Sequence, residues 1–272
     1  ALNTVEIMKQ VMTIIPPNMA GYLISASGGG ALTHGQLGDF EGARAYLRTA
    51  ENTFGRISRG PNFAFYRHQW TAGLEFARGE VFFAEGKLAE AEAAYRKALR
   101  ELELDKPDRE QRTRQGMTQG TDENSEAGRT RNLRRLGMTL LRAGRANEAE
   151  INIRLALKAS LERVGRYSPD TILNLQAFAQ ILIEQGRFAE GALMARESVR
   201  SVEGAGIPQH AFVAINARRA LGAALVANGK WSDALATFDE MRRNAEKEPE
   251  LAKKIARGDL DWAHALLKMN RG

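Results

Sequence analysis

Along this chain apolar residues recur at spacings of three and four, the signature of helices that bury one face. Leu133, Leu136, Gly137, Leu140 and Leu141 follow it, as do Leu175, Phe178, Ala179, Leu182 and Ile183, and then Leu221, Gly222, Leu225 and Val226. Each run stops a few residues before a glycine. Beyond the glycine, small and bulky residues return at fixed offsets: Gly86 is followed by Leu88, Ala91, Tyr95 and Ala98. The same offsets hold for Gly38, Phe40, Ala43, Leu47 and Ala50, and for Gly144, Ala146, Ala149, Ile153 and Ala156. They return at Gly186, Phe188, Gly191, Ala195 and Ser198, and at Gly229, Trp231, Ala234, Phe238 and Met241. A glycine there closes one helix in a left-handed cap that a Cβ would penalise, and the small residues let a second helix approach its neighbours closely. The pattern predicts an all-α chain of antiparallel helix hairpins, about five of them, followed by a C-terminal helix.

Leu133, Leu136-Gly137 and Leu140 in a first helix, with spaced alanines in the second, resemble the tetratricopeptide-repeat family over about residues 20–272. The spacing exceeds the usual repeat of about 34 residues: Gly144 to Gly186 is 42 and Gly186 to Gly229 is 43. It is similar to the longer kinesin-light-chain variety. Ser168-Pro169-Asp170-Thr171-Ile172-Leu173-Asn174-Leu175 resembles that subtype's helix start, and Gln185-Gly186-Arg187-Phe188-Ala189-Glu190 its turn. Asn132, Asn174 and Asn216 stand 42 apart, so they are expected on one stripe of successive first helices, making either a structural hydrogen bond or a groove contact. The resemblance implies a right-handed superhelical solenoid forming a single array over 1–272.

Three places depart from the repeat. Gly86 to Gly144 is 58 residues, so extra chain is expected between the second and third hairpins. Residues 105–131 carry Pro107, Gly116, Gly120 and Gly128 among arginines, a loop composition that predicts a long insertion, either tolerated or a binding flap. The glycine-rich stretch Ser25 to Gly35 predicts an irregular first helix. Residues 250–271, with Trp262, Ala265, Leu266 and Leu267 on one face, read either as a capping helix that covers the last apolar face or as a truncated repeat.

Charge changes this picture little. The net charge is +6, but 39 basic residues are set against 33 acidic ones mixed along the helices, a solvated pattern that argues against a nucleic-acid groove. The absence of cysteine excludes disulfides and thiol catalysis. No stretch approaches the roughly 20 apolar residues of a membrane span. The chain begins Ala1-Leu2-Asn3, consistent with a removed leader or a trimmed chain; a cytoplasmic location is favoured, with a periplasmic or secreted one open.

No catalytic constellation emerges. Gly86-Lys87 and Gly229-Lys230 lack the spacing and the following Ser or Thr of a phosphate loop and read as hairpin turns. Ser27-Gly28-Gly29-Gly30 reads as close helix packing or a break rather than a ligand cradle. His34, His68, His210 and His264 are too scattered for zinc, and Phe63, Tyr66 and Trp70 read as a buried stripe rather than base-stacking platforms. No enzyme activity, cofactor or metal is expected.

The family's groove-lining positions, carried over by the resemblance, fall on Phe76, Glu80 and Phe83 in the second copy and on Arg131, Arg134, Met138 and Leu141 in the third. They continue with Gln176, Gln180 and Ile183, then Asn216, Arg219 and Ala223. A wall of arginines and amides suits an extended, acidic peptide or a protein partner, because guanidinium recognises carboxylates in a planar, bidentate way. The expected role is a protein-interaction scaffold. The alternative is the recognition arm of a larger enzyme or signalling protein, for example one with a caspase-like protease domain.

Overall fold

The computed structural model describes residues 20–61, 63–116, 121–247 and 256–269, with backbone alone at 20, 121–124 and 256–261. Eleven helices and no strand occur among the described residues. They are α1 (Ala20–Gln36), α2 (Phe40–Ile57), α3 (Phe63–Ala84), α4 (Leu88–Arg114), α5 (Thr121–Arg142), α6 (Ala146–Val164), α7 (Pro169–Glu184), α8 (Phe188–Gly204), α9 (Phe212–Ala227), α10 (Trp231–Ala245) and α11 (Ala256–Met269). They fall into two compact units that divide between Ala143 and Gly144, where one array was expected.

All five template glycines take positive φ, from 68° at Gly229 to 78° at Gly144. Four of the turns share one bond across the cap: Asp39, Lys87, Arg187 and Lys230 each donate N–H to the carbonyl five residues back, at 2.9 to 3.0 Å. That is a Schellman closure, which satisfies carbonyls the helix end would otherwise leave open. The Gly-Lys pairs are therefore turns, as read. Two residues past each glycine the second helix begins, and the small residues at the next template positions are buried. The bulky residue at the helix start is not: Phe40 and Phe188 remain about two-fifths exposed, at 42% and 41%.

In the first unit, α1 packs on α2 and α3, α3 on α4, and α4 on α5. Ile24 of α1, Ala50 and Ile57 of α2, and Trp70, Leu74 and Ala77 of α3 share one cluster, with Phe63 and Tyr66 packed against it. Tyr66 stacks on Trp70 with centroids 5.2 Å apart, so the aromatic stripe is core. The N-terminal stretch is a regular helix, correcting the expectation of irregularity. Its glycines are sites of close approach: Gly28 faces the Phe76 ring and Gly30 the Tyr46 ring, each leaving 2.7 Å for a Cβ.

The insertion expected at 105–131 is a second correction. α4 continues through Pro107 to Arg114, and α5 already runs from Thr121; residues 117–120 lie outside the described residues. Proline removes one intrahelical bond and clashes with the preceding turn, so something must hold the far side of α4. Arg112 does so. Its guanidinium donates to both Asp105 oxygens at 2.9 Å and to the Phe65 carbonyl, and lies over the Tyr66 ring at 4.9 Å. Both side chains of the pair are fully buried. Burial raises the Asp105 pKa above its ordinary value against the pull of Arg112.

In the second unit, α6 packs on α7, α7 on α8, and α9 on both α8 and α10, while the first helices α7 and α9 also touch directly. Ala179, Ala192, Ala195, Ala220 and Ala224 form the seam between them. Ser168 caps α7, accepting from the Thr171 N–H at 3.2 Å, with Pro169 in the first turn. α11 lays Ala265 and Trp262 against the cluster of Ile215, Phe238 and Met241. Of the stretch 250–271, residues 250–255, 270 and 271 lie outside the described residues.

Candidate functional site

In the first unit the anticipated wall is built from α3 and α5. Phe76 and Glu80 are buried, at 4% and 1% exposure, whereas Phe83, Arg131, Arg134 and Met138 are half-buried. The reason is a set of arginines from α5 that lean onto α3. Arg131 lies over the Phe76 ring at 5.1 Å, and Arg135 and Arg142 lie over Phe83 at 4.3 and 4.5 Å. Arg135 also grips Glu80 through two bonds of 2.6 Å, and the Tyr95 hydroxyl donates to the same carboxylate at 2.9 Å. Glu80 thus belongs to an internal ion pair rather than to an open wall.

Sequence reasoning named Arg131 and Arg134 but missed Arg135 and Arg142. One signal was present: a glutamate inside the aromatic run from Phe76 to Phe83 requires a buried partner of opposite charge. Beside this pair lies a small cavity of about 70 Å³, into which Phe76, Arg131 and Asn132 face together with Gln69 and Ser125.

In the second unit the anticipated residues converge. Gln176, Gln180 and Ile183 of α7 and Arg219 and Ala223 of α9 line one groove of about 220 Å³, with Glu184 and Val226 at its border. Spacings of four and three put these residues on one face of each helix, and the alanine seam beneath brings the helices close. Gln176 straps the helices together by donating to the Val213 carbonyl at 3.1 Å, and Arg219 Nε donates to Asn216 Oδ1 at 3.3 Å.

The three asparagines in register take different partners. Asn174 donates across helices to the Ala156 carbonyl at 3.1 Å and to Ser160 Oγ at 3.0 Å. Asn132 donates within its own helix to the Gly128 carbonyl at 2.9 Å, and Asn216 serves Arg219.

Between the start of α6 and the α7–α8 turn a charged cluster closes the same unit. Glu150 receives Arg187 at 2.8 Å, Gln185 at 2.9 Å and Arg154 at 2.6 Å. Partial burial works against its charge, but the bonds from Arg187, Gln185 and Arg154 prevail and hold the carboxyl at about 2. Among the described residues no group of three or more His, Asp or Glu could hold a metal ion, and no helix is long and apolar enough to cross a membrane.

The family model of the tetratricopeptide repeat matches residues 76–101, a span that runs from α3 through the Gly86 turn into α4. No curated protein matches the chain. Among solved structures, it is similar to a putative kinesin light chain of nearly identical TPR-like repeats from Podosopora anserina. The identity is 12% over 86% of this chain and 98% of that one, with a TM-score of 0.51. BtubC (BKLC) from P. vanneervenii gives 16% identity over 85% of this chain and 87% of that one, with a TM-score of 0.54. At these identities the likeness is one of fold. With five glycine turns that share one geometry and a tetratricopeptide repeat matched across one of them, the chain carries that repeat at residues 76–101, and its fold resembles that of the kinesin-light-chain-like structures.

Proposed function

We propose that this chain is a protein-interaction scaffold and that the groove between α7 and α9 takes an extended peptide. Proteins built of such repeats generally act by binding other proteins and generally are not enzymes. The observation that carries the reading is the convergence of Gln176, Gln180, Ile183, Arg219 and Ala223 on one open groove, from two helices distant in the chain. Arg219 supplies a planar cation for a carboxylate, Gln180 an amide for peptide backbone groups, and Ile183 with Val226 an apolar side. Glu184 stands about two helical turns further along, roughly 10 Å, which gives the groove a polarity. An acidic side chain or free C-terminus belongs at the Arg219 end, and a neutral or basic residue near Glu184.

The test is a selection from a displayed library of random peptides, followed by binding measurements on purified protein. The expected result is enrichment of peptides bearing an acidic residue or C-terminal carboxylate, with affinity lost by about 10- to 100-fold in Arg219→Glu, the range for breaking a charge-assisted pair. Binders indifferent to that substitution would move the site elsewhere.

A further inference from the structure

We propose that the small cavity of the first unit is a pocket for a primary carboxamide, the side-chain end of a glutamine or asparagine on a bound peptide. Its floor holds two buried polar atoms without a hydrogen-bond partner, Ser125 Oγ and Asn132 Oδ1. Their residues are 4% and 3% exposed, and both line the cavity. Asn132 is oriented by its own helix: Nδ2 donates to the Gly128 carbonyl at 2.9 Å, which leaves the oxygen as the group in need of a donor. Buried polar atoms in native proteins nearly always find partners, so two orphans facing one space mark a place where a ligand or water belongs.

Size and polarity choose the ligand. A pocket for a whole small molecule spans roughly 300–1,000 Å³; this one, at about 70 Å³, holds a group of a few heavy atoms. Asn132 Oδ1 repels a carboxylate, and the Arg131 guanidinium at the rim repels an ammonium. A carboxamide satisfies both: its two N–H groups meet Asn132 Oδ1 and Ser125 Oγ, and its carbonyl accepts from Arg131 or Gln69. Phe76 and Leu102 supply apolar walls for the adjoining methylenes. Ser25 is exposed and borders the cavity, so a side chain can enter from outside. This pocket lies in the first unit and the α7–α9 groove in the second; the peptide assignment rests on the reading of the chain as a peptide-binding scaffold, whereas the carboxamide pocket itself does not.

The experiment is a titration of the isotope-labelled full chain with propionamide, with propionate and propylammonium as controls. Propionamide should shift the backbone amide signals of Ser125, Gly128 and Asn132 saturably, and the controls should not. Ser125→Ala should weaken the response by about five- to ten-fold, the scale of one neutral hydrogen bond. Ser125→Val, which fills the floor with apolar bulk, should remove it with the helical circular dichroism unchanged.

Peptides selected on the wild-type chain should be enriched in Gln or Asn at one position, and selection on Ser125→Val should lose that enrichment. A response to free propionamide without such enrichment would overturn the peptide assignment. An equal response to propionate, no saturable response, or a crystal soaked in propionamide whose cavity holds water alone would overturn the pocket itself.

Discussion

Glu80 shows what a single charged residue demands when an apolar stretch carries it inside. Burying a carboxylate costs several kcal/mol unless a counter-charge and hydrogen bonds replace the lost water. Arg135 and the Tyr95 hydroxyl are those replacements. Burial works against the Arg135 charge, yet Glu80 holds its pKa above the ordinary guanidinium value. Tyr95 is pushed well up by burial and by the neighbouring carboxylate. Replacing Arg135 with Met leaves Glu80 buried and unpaired, and should lower stability in urea by about 3–5 kcal/mol. Arg135→Met combined with Glu80→Leu should recover most of that loss; no recovery would show that packing, and not charge, decides the site.

Glu150 is the opposite case, a half-open carboxylate held down at about 2. A folded-state pKa below the unfolded value adds stability above the ordinary carboxylate range, and this is lost as pH falls towards 2. Solvent screening limits the contribution to about 1 kcal/mol. Glu150→Gln should therefore flatten the urea stability profile between pH 5 and pH 2.5 relative to wild type.

At the scale of the helix, volume is traded between partners sixteen residues apart. Gly30 faces the ring of Tyr46, Gly79 that of Tyr95, and Gly222 that of Phe238, too close in each case for a Cβ. In the fourth hairpin the corresponding positions are Ala179 and Ala195, both fully buried in one cluster. Gly222→Ala should cost about 1–3 kcal/mol by overpacking against Phe238. In a double-mutant cycle with Phe238→Leu the combined loss should fall short of the sum of the single losses.

The hairpin turns and the buried small residues were legible in the sequence, because a positive φ and a close helix approach each admit few residue types. The length of α4 was not. Pro107 obeys a local rule that predicts a break, whereas the contact that overrides it joins Arg112 to a carbonyl 47 residues away; Gly116, at a φ of 68° just past Arg114, does mark the end of α4. The same distinction divides the site. The α7–α9 residues follow from the family resemblance, with helical spacing putting them on one face of each helix, but the choice of Arg135 over Arg134 as the partner of Glu80 depends on side-chain reach.

Over the whole molecule, contacts are local. Within each unit a helix meets the next helix, and first helices meet the first helix of the next hairpin. Stability in such an array is close to a sum of hairpin and neighbour terms. The tryptophans report on this separately, since Trp70 lies in the first unit and Trp231 and Trp262 in the second. In chains that keep tryptophan in one unit only, Gly222→Ala should shift the denaturation midpoint seen by Trp231 and Trp262 more than that seen by Trp70. Equal shifts would mean that the chain unfolds as one body.

The glycine and ring pairing has a consequence for ancestry and for engineering. A first helix that carries Gly222 or Gly79 brings a dent shaped for an aromatic ring, and one that carries Ala179 has no such dent. Joining α7 to α10 would drive Phe238 into the Ala179 methyl, and joining α9 to α8 would leave an empty socket opposite Ala195. Two helices and the turn between them are therefore inherited together, and viable crossovers between copies of this repeat fall between hairpins and not within them.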